Sequence, residues 1–199
     1  MMNFLRLTTD DFRLTSLEKI ILGIDPGTRH MGYGLIRASG STMQLLQFGV
    51  INLTKFSTHE LKLKKIFERI SALLDEFAPD EVALEAPFYG KNVQSMLKLG
   101  RAQGVAMAAA LAKEIPIVEY PPKSVKMSVT GNGNASKEQV AYMLENLLKT
   151  KLESEFLDAT DALGVAVCHH FHGNNLHASK SGTKKGWGAF VAENPRRVK

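Results

Sequence analysis

The chain has 199 residues, 44% of them hydrophobic, and it carries a formal charge of +5 with an isoelectric point near 9.3. This length and apolar content predict one domain with one sizeable core, and they exclude two full domains. A single cysteine, Cys168, excludes an internal disulfide and is typical of a reducing compartment. Because no apolar run has the length of a signal peptide or a membrane span, we expect a cytoplasmic protein.

The positive charge is concentrated at the C-terminal end of the chain. Six of the 25 basic residues and one of the 20 acidic residues lie from His172 onward, which leaves 19 of each before it. We therefore predict a loosely attached extension at residues 1–18, a folded domain at 19–172, and a basic, disordered tail at 173–199. The tail is either a solubilising end or a source of nonspecific attraction to phosphate.

The first strong signal is an apolar run at residues 20–24 that ends on Asp25. The run is too short for a free helix and rich in β-branched residues, which predicts a strand buried on both faces. Pro26 and Gly27 then bend the chain, and glycines at 27, 32 and 34 leave room for a ligand or a neighbouring backbone. Asp25 either meets a cation at the end of this strand or caps its own turn.

Strands at residues 31–38 and 43–53, joined by a short turn, predict an antiparallel meander. A helix follows, with a capping box formed by Ser57 and Glu60, and it ends at Ala78-Pro79. Residues 80–85 then repeat the opening pattern, because a short strand again stops at a carboxylate, Glu85, close to a proline.

The second half of the chain reads as alternating helices and strands. In a long helix at 92–113, four mostly small residues fall on one face: Met96, Gly100, Gly104 and Ala108. This row favours internal packing, with a dimer contact as the alternative. A strand at 115–119 and a polar segment at 122–130 lead to a glycine loop, after which Ser136 caps a helix at 137–149. The last helix begins near Glu155.

Four carboxylates stand where they are able to converge. Asp25 and Glu85 end two strands, and Asp158 and Asp161 lie three residues apart on one face of the last helix. The ends of parallel neighbours share a sheet edge, and a helix laid across that edge brings its acids to them. Such a cluster needs hard cations, and two Mg²⁺ ions support attack of water on a phosphodiester. Taken singly, each acid is better explained as a turn cap or a helix N-terminal acid.

Several motifs decide between these interpretations, since they resemble those of the RuvC family of bacterial Holliday junction resolvases. They occur in family order between about Lys19 and Phe171: Gly23–Arg29, Gly32–Gly34, Glu85–Asn92, Leu97–Gly104 and Asp158–Gly164. The resemblance implies an α/β, ribonuclease H-like fold with a mixed five-stranded sheet flanked by helices. It also implies a homodimer that cuts four-way DNA junctions with Mg²⁺, two ions per site, with Mn²⁺ as a substitute.

The same resemblance assigns roles to individual residues. Catalytic, metal-binding carboxylates fall on Asp25, Glu85, Asp158 and Asp161, and lysines beside the scissile phosphate fall on Lys126 and Lys137. Phe88 corresponds to the aromatic residue that probes unpaired bases, for which stacking supplies about 1–3 kcal/mol. Lys91 and Arg101, within two matched motifs, are expected to contact DNA. A branch-migration complex, RuvA with RuvB, is a candidate partner.

Three alternatives deserve a test. In the first alternative, the protein is a junction-binding module without catalysis. The presence of all four acids argues against this alternative. The second, half of an actin-like ATPase, is disfavoured because the chain lacks a second Asp-Gly-Thr half. The third alternative is a metal cluster formed by His169, His170 and His172. Consecutive histidines on a helix point in different directions, so core or surface roles are favoured.

Overall fold

The computed structural model describes residues 18–87, 92–152 and 157–180. Five strands and five helices occur within these ranges. Their bounds are β1 Lys19–Asp25, β2 His30–Ser39, β3 Thr42–Asn52, α1 His59–Phe77, β4 Glu81–Glu85, α2 Val93–Leu111, β5 Ile117–Tyr120, α3 Pro122–Thr130, α4 Lys137–Leu148 and α5 Leu157–Lys180.

The strands form one mixed sheet in the order β3-β2-β1-β4-β5. The first three strands are antiparallel neighbours, as the predicted meander requires. β4 then pairs parallel to β1, and β5 pairs parallel to β4. This arrangement confirms the expected α/β class with a mixed five-stranded sheet.

The sheet separates two apolar cores, one under each helical layer. Leu22, Ile24 and Leu84 face α1 and α2, where Leu73 and Ala106 complete the first core. The opposite face carries the second core, to which α3, α4 and α5 contribute. Because successive residues of β1 alternate between these cores, β1 is buried on both faces, as predicted. Within the described part of the chain, no helix has the length and apolarity needed to cross a bilayer.

Local structure departs from the sequence predictions in three places. The segment 122–130 is a helix rather than a polar connection, because Pro122 stands at its first turn and Val125 and Val129 bury one narrow face. The N-cap of α1 is Thr58, whose side chain accepts from the Leu61 amide, and not Ser57. The backbone of α5 stays helical to Lys180, beyond the predicted domain boundary at His172. The division into extension, domain and tail stays a prediction.

The small-residue row of α2 does not pack inside the protein, contrary to the favoured expectation. Gly100, Gly104 and Ala108 are exposed, and a β-carbon at either glycine would meet no atom within 4 Å. The buried face of α2 is a different one, formed mainly by alanines such as Ala102 and Ala106. The sequence spacing correctly predicted that α2 has a face of mostly small residues. It did not determine which face of the helix is buried.

Candidate active site

Two carboxylates meet at one edge of the sheet because their strands are parallel neighbours. Ile24 of β1 lies opposite Leu84 of β4, and the next residues, Asp25 and Glu85, end the two strands. Both side chains therefore reach the carboxyl edge of the central strands, where open α/β sheets form their sites. The charge of Glu85 acts directly on Asp25.

The other two acids are delivered by α5, which packs unusually close to the sheet. Three glycines make this approach feasible, since a β-carbon at Gly23 would lie 2.1 Å from the Ala162 carbonyl oxygen and one at Gly32 would lie 2.0 Å from that of Asp158. Gly34 is similarly close to Leu163. The glycines at 32 and 34 thus make room for a neighbouring backbone, which was one of the two predicted uses.

Three of the four acids form a compact group. Asp25, Asp158 and Asp161 each offer a carboxylate oxygen, and these oxygens all lie within 4.8 Å of one another. Glu85 stands beside this group, close enough for the charge of Asp161 to perturb it. The side chain of Asp161 is 20% exposed and that of Asp158 is 41% exposed, so the site opens to solvent on the Asp158 side.

The ionisation of the two strand-end acids reflects their burial and their crowding. Burial, followed by the charges of Glu85 and Asp161, raises the pKa of Asp25 to about 8. Burial and the charge of Asp161 likewise raise the pKa of Glu85 to about 7. A buried carboxylate among like charges keeps its proton near pH 7 unless a cation stabilises its ionised form.

Two lysines face this acidic group from α3 and α4. Lys137 donates to Asp161 Oδ2 at 2.5 Å and lies 4.0 Å from Asp158 Oδ1. Burial lowers the pKa of Lys137, but the hydrogen bond to Asp161 and the nearby carboxylate charges outweigh burial and raise it. Lys126 donates to the carbonyl oxygen of Ala135 at 2.7 Å, and its charge still acts on Glu85. Lys137 therefore pairs with the acids, and Lys126 is held by the glycine loop.

The donor set fits hard divalent cations. All three clustered groups, at Asp25, Asp158 and Asp161, are carboxylates, and oxygen ligands are those that Mg²⁺ prefers. Burial, followed by the neighbouring carboxylate charges, raises the pKa of Asp25, and a divalent cation bound there would favour its ionised form. These residues therefore fit a magnesium-type site, with Glu85 at its flank.

Of the remaining predicted DNA contacts, Arg101 is the one that lies among the described residues. Phe88 and Lys91 lie outside the described residues. Arg101 is exposed on α2, in the helical layer on the opposite side of the sheet from α5. The structure thus groups Lys126 and Lys137 with the acids and leaves Arg101 apart from them.

The sequence analysis missed one residue at the site, His30. This first residue of β2 has its Nδ1 atom 3.6 Å from Asp158 Oδ2. The histidines of α5 do not contribute to the metal-type group found among the described residues. His169 contacts Tyr120 Oη through Nδ1 and Glu81 Oε2 through Nε2, each at 2.8 Å, which gives it the core role that was favoured.

Comparison with known proteins agrees with this geometry. The family model described as crossover junction endodeoxyribonuclease RuvC matches residues 21–169. A protein of that name from Cytophaga hutchinsonii is 60% identical over 184 residues, covering 92% of this chain and 90% of its own. Another, from Christiangramia forsetii, is 56% identical over 182 residues, covering 92% of this chain and 94% of its own.

A solved structure is similar to this chain in both fold and sequence. T. thermophilus RuvC in complex with Holliday junction substrate superposes with a TM-score of 0.74 at 30% identity, covering 79% of this chain and 96% of the other. The chain belongs to the RuvC family of crossover junction endodeoxyribonucleases.

Proposed function

We propose that this protein resolves four-way DNA junctions by Mg²⁺-dependent hydrolysis of one phosphodiester in each of two symmetric strands. One observation carries the proposal: the carboxylate oxygens of Asp25, Asp158 and Asp161 lie within 4.8 Å of one another at the carboxyl edge of the sheet. The complex of T. thermophilus RuvC with Holliday junction substrate supports the choice of DNA substrate.

The acids are the metal-binding part of the proposed site. Asp25, Asp158 and Asp161 would hold divalent cations, and Glu85 would complete the set from the next strand. Divalent cations bound there supply the Lewis-acid chemistry for in-line attack of water on phosphorus, for which two ions are a known arrangement. The exposed side of Asp158 leaves the cluster accessible to a DNA backbone.

The lysines are the phosphate-binding part. Lys137, paired with Asp161 at 2.5 Å, carries a positive charge next to the position where a scissile phosphate would approach the acids. Lys126 is held in place by the Ala135 carbonyl oxygen, and its charge acts on Glu85. Fixed ammonium groups at these positions would stabilise the additional negative charge of the transition state.

A homodimer would supply the two symmetric cuts. The outer face of α2 presents an apolar stripe in which Val93, Leu97 and Leu111 are 69%, 52% and 59% exposed. Gly100 and Gly104 lie between them at helical spacing, so a second copy could approach the helix backbone closely. A two-fold axis at this stripe would pair two identical sites with the two equivalent strands of a junction.

The other proposed contacts rest on the family resemblance alone. Phe88 would stack on unpaired bases at the junction centre, and Lys91 and Arg101 would contact the DNA backbone. A complex of RuvA and RuvB is the proposed branch-migration partner. We infer that the protein works in the cytoplasm, where it has access to chromosomal DNA.

The proposal is tested by cutting and binding assays on a synthetic four-way junction. Asp25→Asn, Glu85→Gln, Asp158→Asn and Asp161→Asn should each abolish Mg²⁺-dependent cutting and leave junction binding nearly intact. Asp75→Asn, an exposed carboxylate on α1, is the matched control and should cut normally. If the wild-type protein binds the junction but never nicks it with Mg²⁺ or Mn²⁺, the protein is a binding module and the proposal fails.

A further inference from the structure

His30 lies on the face of the sheet that carries the acids. Residues of β2 alternate between the two faces, and Gly32 contacts the backbone of Asp158 in α5. His30, two residues before Gly32, therefore points to the same layer. Asp25 pairs with Gly32 across β1 and β2. His30 and Asp25 thus occupy neighbouring positions at one edge of one face.

The imidazole of His30 approaches a single carboxylate of the cluster. Its Nδ1 atom is 3.6 Å from Asp158 Oδ2, and both side chains are 41% exposed. The other oxygen of the same carboxylate, Oδ1, faces Lys137 at 4.0 Å. A separation of 3.6 Å is too long for a hydrogen bond, so His30 does not simply orient Asp158.

We propose that His30 is a nitrogen ligand of a divalent cation that it shares with Asp158. Adjacent ligands of an octahedral ion with bonds of about 2.1 Å lie about 3 Å apart. Nδ1 and Oδ2 are 3.6 Å apart, so the two exposed side chains would have to approach each other by about 0.6 Å to bind one ion as adjacent ligands. The inference rests on the proposed function, since it extends the proposed metal site by one residue.

A nitrogen ligand changes the metal preference of the site. Carboxylate oxygens suit Mg²⁺ and Mn²⁺, whereas imidazole suits transition metals such as Mn²⁺ better than Mg²⁺. The cation site shared by His30 and Asp158 should therefore prefer Mn²⁺ to Mg²⁺. The exposure of His30 also keeps this position open to water or to a phosphate oxygen.

Pulsed electron paramagnetic resonance of the Mn²⁺-loaded protein tests the inference without any activity measurement. Protein labelled with ¹⁵N only in histidine should show a nitrogen coupling to Mn²⁺ that differs from that of unlabelled protein. The coupling should vanish in His30→Ala, and Mn²⁺ should bind at least about tenfold more weakly. His172→Ala is the matched control, because residue 172 lies about 21 Å along α5 from residue 158.

The outcomes separate this inference from the function on which it depends. A histidine coupling that persists in His30→Ala, or that is absent while Asp161→Asn still abolishes Mn²⁺ binding, overturns the role of His30 and leaves the carboxylate site intact. Weaker junction binding by His30→Ala without any coupling would likewise overturn it, since His30 would then contact DNA. If Asp25→Asn and Asp161→Asn bind Mn²⁺ as well as the wild type, the proposed metal site itself fails.

Discussion

Gly32 in β2 faces the carbonyl oxygen of Asp158 in α5 so closely that a β-carbon at Gly32 would lie 2.0 Å from that oxygen. This contact sets the distance between the first turn of α5 and the sheet. Asp158 and Asp161 reach Asp25 only because no side chain separates the helix from the strand. The candidate site therefore depends on a residue that has no functional group of its own.

We expect Gly32→Ala to impair junction cutting more strongly than the addition of one methyl group would suggest. The methyl group must push the first turn of α5 away, at a cost of about 1–3 kcal/mol in the free energy of unfolding, and it would separate the acids. Junction cutting should fall to background, as measured with a labelled junction, and chemical denaturation should show the loss of stability.

Gly173→Ala is the control for this substitution. Gly173 lies in the same helix, and a β-carbon there would meet no atom within 4 Å, so alanine should be neutral or stabilising by up to about 1 kcal/mol. Full cutting activity by Gly32→Ala would contradict the idea that close packing of α5 assembles the site.

The buried acids should make stability depend on pH when divalent cations are absent. The pKa of Asp25 is raised from 3.8 to about 8 and that of Glu85 from 4.5 to about 7, so the folded state keeps protons that the unfolded state releases. Their contribution is complete below about pH 4 and is lost as the pH rises to about 8. With a chelator present, the free energy of unfolding should decrease over this interval.

Asp25→Asn should flatten much of this decrease, whereas Asp75→Asn should not, because Asp75 is 66% exposed on α1. Mg²⁺ added at pH 8 should raise the melting temperature of the wild type, since the ion binds only the folded, ionised cluster. Identical pH profiles for the wild type and Asp25→Asn would show that Asp25 is not the group responsible.

Lys137→Gln should separate metal binding from cutting. The ammonium group of Lys137 occupies Asp161 Oδ2, where it repels an incoming cation. Its removal should tighten Mg²⁺ binding by about tenfold in calorimetry. It should also slow cutting by about a hundredfold, because the phosphate loses a fixed positive charge.

Lys123→Gln is the matched control, since Lys123 is exposed on the neighbouring helix α3. It should change neither metal affinity nor the cutting rate by more than a small factor. Weaker Mg²⁺ binding by Lys137→Gln would mean that Lys137 supports the acids rather than competing with the ion.

Leu97→Arg should disrupt the proposed homodimer. Leu97 is 52% exposed in the apolar stripe of α2, and a charge there would have to be buried in the interface. Sedimentation should show a monomer at concentrations where the wild type is dimeric, with dimer affinity reduced by about a hundredfold. The two strands of a junction should then be nicked independently.

Tyr142→Arg provides the comparison for Leu97→Arg. Tyr142 is 67% exposed on α4, in the layer across the sheet from α2, so its replacement should leave the oligomeric state unchanged. A dimeric Leu97→Arg would require a different interface for the second copy.

The amino-acid sequence by itself determined the features that depend on neighbouring residues. A buried strand ends at Asp25 because proline and glycine follow it, and α4 begins where Ser136 and Gln139 form a reciprocal cap. The three-residue spacing of Asp158 and Asp161 placed them together on α5 from periodicity alone. Family motifs then connected these local signals to one fold.

Only the tertiary structure decided which surfaces meet. The stripe of α2 faces outward because alanines on another side of that helix pack into the first core, a choice that spacing cannot reveal. Lys137 pairs with Asp161, and His30 lies beside Asp158, because α5 returns over glycines more than a hundred residues earlier in the chain. Such contacts depend on close packing between distant segments, and no local pattern encodes their distances.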